Sequence, residues 1–407
     1  MNYHHDILIT GAGCVGLSLA IQLRKKFPDL SIAVLEKENS CGQHSSGRNS
    51  GVLHSGIYYP PNSLKAKVCI PGGRRLKEWI IEHKLPLLKA GKLVVPHKVE
   101  LDSQIDMLRD RAIKNGAEVE ILDSNQISDI CKEVRSTSGR ALWSPNTSVT
   151  SPKKVVEKMY KLLLEQDVCF YFGAKDWRVG SNEKEINISQ YDKISFGYMF
   201  NCCGLYADKV AHMFNIGTEY RMVPFKGIYW QLQGEISKQI KTNIYPVPDL
   251  NVPFLGVHFT PSAAENNVVS IGPTAVLALG RENYNGIESI NPLEAIKNIA
   301  TISNQYISNS GGFRKYVHDQ AFLSIKPLMM KDAKMLIPSL KDKNVIPSKK
   351  VGIRAQLYNE TTKLLENDFI SMNGPSSTHV LNAVSPAFTA SFELADLILK
   401  RSNLSNS

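Results

Sequence analysis

The chain has 407 residues, of which 43% are hydrophobic, with a net charge of +10 and pI ≈ 9.1. That length allows roughly two or three domains, and no apolar run reaches the ~18 residues of a membrane-spanning helix. The basic balance points to an anionic substrate, an anionic membrane surface or nucleic acid, and the last is set aside because no helix-turn-helix, zinc-finger or aromatic RNA-binding pattern occurs. Seven cysteines, odd in number and without a C-x-x-C pair, read as reduced thiols, and no metal site is expected.

The first stretch, residues 6–36, organises the rest. Ile7, Leu8 and Ile9 form a short apolar run suited to a buried parallel strand. Gly11, Gly13 and Gly16 then supply a G-x-G-x-x-G turn. These glycines serve a tight bend, close backbone approach to a pyrophosphate and close helix–strand packing. Leu17, Ala20, Ile21 and Leu23 make one apolar helical face, and a second strand over 31–35 ends at Glu36, where a ribose hydroxyl would be held. Strand, turn, helix, strand and terminal acid in register predict a dinucleotide site. The helix N-terminus there offers free N–H groups to the diphosphate.

The polar segment 40–50 follows and reads as a loop or helix start with exposed N–H groups. His54, Tyr58 and Tyr59 come next, set among small residues. Helices are expected over 72–83, 101–115 and 152–165, and strands over 92–95 and 168–172. A strand over 192–203, then Gly204 and a helix over 209–214, would extend the nucleotide sheet; Cys202 and Cys203 read as small buried hydrophobes. Short strands over 226–232, 254–260 and 268–272 suggest an antiparallel meander, followed by a helix over 293–308. Residues 329–350 are Lys-rich with Met329, Met330 and Leu336 among the cations, which suits either a solvated loop or an interfacial membrane contact. Strands over 369–372 and 379–383 precede a helix over 387–400, with Ser385 as cap and Pro386 at its first turn.

The motifs GAGCVG (11–16), VLEKE (34–38), NSGVLHSGIYYPPNSLKAKVC (49–69), GKLVV (91–95) and CCGLYADKVA (202–211) stand beside NIYPVPD (243–249), PFLGVHFTP (253–261), GIRAQL (352–357) and HVLNAVSPAFTAS (379–391). With these, nearly the whole chain resembles the FAD-dependent oxidoreductases of the D-amino-acid oxidase superfamily, and within it the L-2-hydroxyglutarate oxidase/dehydrogenase family. The resemblance implies an α/β fold: a doubly wound, Rossmann-like FAD-binding domain (1–75, 150–215 and 350–407) interleaved with an antiparallel β-rich α+β substrate domain (76–149 and 216–349). It implies FAD held by Gly11, Gly13, Gly16, Glu36 and Lys37. Ser45, Ser46, Asn49, Ser50 and Gly51 join them from the polar loop, and Cys203 and Gly204 from the mid-chain unit. Ser385, Pro386 and Ala387 would bring the last helix N-terminus to the isoalloxazine, where reduction places negative charge.

The implied reaction is oxidation of L-2-hydroxyglutarate to 2-oxoglutarate, with the C2 hydride passing to flavin N5 and electrons leaving to a quinone or another acceptor. A neutral imidazole can accept the hydroxyl proton. His54 and His258 are the candidates, and the sequence does not divide their roles. Arg354 is the first candidate for gripping a substrate carboxylate bidentately, with Tyr59, Lys226 and Tyr245 secondary. Oxidation of another small anion (glycerol 3-phosphate or an amino acid), a flavin-binding electron-transfer subunit without turnover, and an NAD-dependent dehydrogenase stay open as alternatives. The expected address is the cytoplasm, with peripheral contact to the inner face of the cell membrane as an option.

Overall fold

The computed structural model describes residues 2–180, 183–189, 191–248, 256–309, 313–314, 317–318 and 325–404. Among the described residues its centre is a sheet with five parallel strands. The first, Asn2–Thr10, pairs on one side with Ile32–Leu35 (Ile7 beside Ile32) and on the other with Asp192–Asn201 (Ile9 beside Phe200). Cys169–Tyr171 and Ser377–Asn382 add the outer parallel strands. Side chains alternate across the pleat. Ile7 and Ile9 therefore face a core shared with the helices Cys14–Lys26, Leu64–Glu82, Pro152–Leu164 and Ser391–Arg401, while Leu8 faces a second core with Phe196, Met199 and Phe214. Gly16 is needed for this layering, because a Cβ there would lie 2.1 Å from the Gly11 carbonyl oxygen.

Among the described residues the second sheet has ten strands and is mostly antiparallel. The expected short meander is replaced at its centre by two long strands, Tyr220–Leu232 and Val345–Asn359, whose pairing is broken only near Ile228 and Trp230. One pairing is parallel, Asn243–Pro246 with Lys92–Val95. The strand expected over 254–260 begins at Phe259; Phe254 and Leu255 lie outside the described residues.

Two segments differ from the sequence reading. Residues 329–350 are not a polar loop: Lys326–Leu336 is a helix, and the long strand starts at Val345. Met329, Met330, Leu336 and Ile337 are buried against Leu93, Ile244 and Phe259, so these residues form core, not a membrane-facing surface. The last helix starts at Ser391, with Ala390 as its N-cap, not at Ala387. Residues 385–390 form turns, in which the Ala387 N–H donates to the Val384 carbonyl and the Ala390 N–H to the Pro386 carbonyl. Thr389 pins that turn: its hydroxyl donates to the Val52 carbonyl at 3.2 Å and accepts the His54 N–H at 3.1 Å. Among the described residues no helix is long and apolar enough to cross a membrane.

Candidate active site

The long strand Val345–Asn359 crosses directly over the short helix Ser45–Arg48. A Cβ on Gly352 would lie 2.9 Å from the Arg48 carbonyl oxygen, and Ser45 Oγ donates to the Ile353 carbonyl at 2.8 Å. This crossing joins the two sheets and encloses a cavity of about 660 Å³. Gly13, Cys14 and Val15 at the first turn of the first helix belong to its wall, as do Tyr245, His258 and Arg354 of the second sheet.

The structure brings most of the sequence-predicted residues to this cavity. Gly13, Ser45, Ser46, Asn49, Ser50 and Gly204 line it on the nucleotide side, and so do Ser385, Pro386 and Ala387. Although those last three precede the helix rather than open it, the turn presents them to the same space. His54, Tyr59, Tyr245, His258 and Arg354 complete the wall on the other side.

The remaining candidates sit behind the wall. Gly11, with φ +101°, and Gly16 shape the turn; a Cβ on Gly11 would meet the Cys202 carbonyl oxygen at 2.5 Å. Glu36 Oε2 accepts the Ala12 N–H and Oε1 accepts the Glu38 N–H, both at 2.9 Å, so the acid ties the glycine loop to its strand. Gly51, with φ +79°, packs on the Thr150 carbonyl, and the half-buried Cys203 thiol is pushed up to about 12, first by desolvation, and stays neutral. Lys37 pairs with Glu38, and with Glu282 at 2.7 Å. His44 shares that acidic cluster, whose cation is this ammonium. Lys226 does not reach the cavity: on its strand Phe225 stands opposite Arg354 and faces inward, and the alternation turns Lys226 outward, where it donates to Asn283 Oδ1 at 2.9 Å.

The two histidines differ in a way the sequence could not show. His258 Nδ1 lies 2.8 Å from the Gly256 carbonyl oxygen, so this nitrogen carries the proton and Nε2 keeps its lone pair. Its ring stacks on Tyr245 with centroids 4.1 Å apart, and burial, with the charges of Lys92 and Arg354, pulls its pKa down to about 4. His54 is also held well below the usual imidazole range, by burial and then by Lys92, His258 and Arg354. Its Nδ1 is buried without a hydrogen-bond partner. Both imidazoles are therefore neutral around pH 7.

Sequence reading passed over three cations here. Lys65 and Arg111 line the cavity, and Lys92 is buried behind Tyr58 and Tyr245. The sequence did carry a signal for Lys92, a single charge opening the apolar strand Lys-Leu-Val-Val.

The residues present fit FAD. The wall joins a glycine turn at a helix N-terminus to a pair of neutral imidazoles, and the orphaned buried Nδ1 of His54 calls for a polar partner within that space. The comparisons agree. The FAD dependent oxidoreductase family profile matches residues 6–401. The mitochondrial L-2-hydroxyglutarate dehydrogenase of Caenorhabditis briggsae is 36% identical over 420 residues, covering 97% of this chain and 92% of that one. The L-2-hydroxyglutarate dehydrogenase of Indibacter alkaliphilus is 33% identical, covering 97% of each. Among solved structures, FAD-bound L-alpha-glycerophosphate oxidase from Mycoplasma pneumoniae superposes with a TM-score of 0.75 at 19% identity, covering 99% of this chain and 95% of that one. Glycine oxidase from Geobacillus kaustophilus gives 0.72 at 13%, covering 99% and 95%. The solved structures share the fold, the profile and the full-length relatives share the family, and on these grounds the chain belongs to the FAD-dependent oxidoreductases of the DAO family, with FAD as its cofactor.

Proposed function

We propose that this enzyme oxidises L-2-hydroxyglutarate to 2-oxoglutarate. The substrate comes from the full-length similarity to the L-2-hydroxyglutarate dehydrogenases. The observation that carries the chemistry is His258: its Nδ1–H is committed to the Gly256 carbonyl, which leaves Nε2 as a neutral base on the cavity wall. Nε2 takes the C2 hydroxyl proton, and His54 orients the hydroxyl or the adjacent carboxylate. The Arg354 guanidinium, on the same wall, holds the C1 carboxylate. FAD would be held by the Gly13 turn and the segments 45–50 and 385–387 and would supply the two-electron acceptor for the C2 hydride, with a quinone or another acceptor as the onward destination of the electrons. We assign residues 2–53 and 148–214 and the final strand and helix to the cofactor layer, and the second sheet, including Val345–Asn359, to the substrate layer.

For a quinone acceptor we propose peripheral membrane contact through the helix Pro292–Ser308. One face of this helix packs on the second sheet through Ala295, Asn298, Thr301 and Gln305, while Leu293, Ile296, Ile299 and Ile307 are exposed. Product analysis tests the substrate. Purified enzyme with L-2-hydroxyglutarate and an artificial acceptor is expected to yield 2-oxoglutarate without ammonia. Turnover of glycerol 3-phosphate or of an L-amino acid in its place would overturn the reading.

A further inference from the structure

Lys92 is only 1% exposed, on a strand whose other residues are Leu93, Val94 and Val95. Among the described residues no carboxylate pairs with it. Its ammonium instead lies over two aromatic faces, 5.2 Å from the Tyr58 ring centroid and 4.8 Å from that of Tyr245. Both rings line the cavity, and Tyr245 stacks in turn on His258. The Tyr58 hydroxyl is shut off from solvent and has no hydrogen-bond partner.

A buried ammonium is costly unless an anion meets it, and cation–π contact offsets only part of that cost. The neighbours cannot supply the anion. Burial raises the Tyr58 and Tyr245 phenols well above their ordinary range and pushes the Cys69 thiol up to about 12, so all three are neutral. The other cations are better provided for: Arg111 donates to the Tyr58 carbonyl at 2.9 Å, and Lys65 lies within the field of Asp368.

We propose that the Tyr58 hydroxyl supplies the donor, and the Lys92 ammonium one ring behind the cavity wall the positive field, for the distal carboxylate of the substrate, and that the pair thereby sets the preference for a diacid over a monoacid of the same chain length. This inference rests on the hydroxy-acid reading above. A dicarboxylate needs two anion sites, and Arg354 accounts for one. Lys92 supplies charge without a competing protein carboxylate, and Tyr58 supplies a donor with nothing else to bond. The substrate is then the counter-ion for which the strand carries a lysine.

The test compares 2-oxoglutarate with 2-oxopentanoate, which has a methyl group in place of the distal carboxylate. Each is titrated into FAD-loaded enzyme and followed by the perturbation of the flavin absorbance. Wild-type enzyme is expected to prefer 2-oxoglutarate by at least about 100-fold. Lys92→Met should cut that ratio below about tenfold, and Tyr58→Phe, which removes one oxygen without changing the packing, should cut it roughly three- to tenfold. Equal weakening of both acids by Lys92→Met, or an unchanged ratio in both variants, would overturn the inference. If Lys92→Met does not take up FAD, the Tyr58→Phe ratio decides. Anaerobic reduction by L-2-hydroxyglutarate checks the underlying reading separately. A wild-type enzyme that is reduced, with variants that keep the ratio, removes this subsite alone; a wild-type enzyme that is not reduced removes the substrate reading and the subsite together.

Discussion

At His258 one hydrogen bond decides which nitrogen can take a proton. With Nδ1–H given to the Gly256 carbonyl, Nε2 is the acceptor. Replacing His258 with Gln is expected to lower kcat about 10²- to 10⁴-fold while KM changes little, read by steady-state kinetics with an artificial acceptor. The pH profile follows from the groups around it. Tyr245, His54, Lys92 and Arg354 face His258, and its pKa of about 4 means that the proposed base would be lost only as pH falls toward that value. Lys92, with its pKa lowered to about 8 by burial and faced by Tyr58, Tyr245 and the Cys69 thiol, loses its charge as pH rises through that value. kcat/KM for L-2-hydroxyglutarate should therefore fall on both sides of a plateau between these two values. With L-2-hydroxypentanoate the alkaline limb assigned to Lys92 should be missing. A shared alkaline limb would assign it to another group.

At the scale of elements, the glycine turn and the last helix carry most of the consequences. Gly16→Ala places a methyl group 2.1 Å from the Gly11 carbonyl oxygen and should separate the first helix from its strand. The expected result is protein without the yellow flavin, measured by absorbance after FAD reconstitution. The helix Ser391–Arg401 buries Phe392, Leu394, Ala395 and Ile398 in the core shared with the first helix. Leu394→Ala is expected to cost about 2–5 kcal/mol by denaturant unfolding. These elements also show what a reader of the sequence can and cannot see. The strand–turn–helix at the start was legible because its glycine spacing and apolar pattern are local. The start of the last helix was misplaced because local cap chemistry at Ser385 and Pro386 was overridden by the two hydrogen bonds Thr389 makes to Val52 and His54. Residues 329–350 were misjudged because lysines on one face of the Lys326–Leu336 helix masked Met329, Met330 and Ala333 on the other. Lys226 was misplaced because strand phase depends on its pairing with Val345–Asn359, a contact across more than 100 residues of sequence.

At the scale of the whole molecule, the chain visits each sheet more than once, and the cavity exists only where they cross. The crossing of Gly352 over Arg48 explains why His258 and Arg354, far from the nucleotide turn in sequence, share a wall with Gly13. No single stretch of sequence contains that wall, and so the site was legible as parts but not as an arrangement. The exposed face of Pro292–Ser308, proposed above as the membrane contact, belongs to this scale too, because it lies outside the cavity. Leu293→Glu with Ile296→Glu should lower co-sedimentation with phosphatidylglycerol vesicles several-fold while leaving the flavin spectrum intact; unchanged sedimentation would reject that face.

The central claim meets its most direct test in anaerobic mixing of FAD-loaded enzyme with L-2-hydroxyglutarate, followed by absorbance, with the D-enantiomer and glycerol 3-phosphate alongside. The account predicts rapid bleaching of the flavin band by the L-acid alone. A yellow protein that the L-acid fails to reduce, or that glycerol 3-phosphate reduces faster, would contradict it.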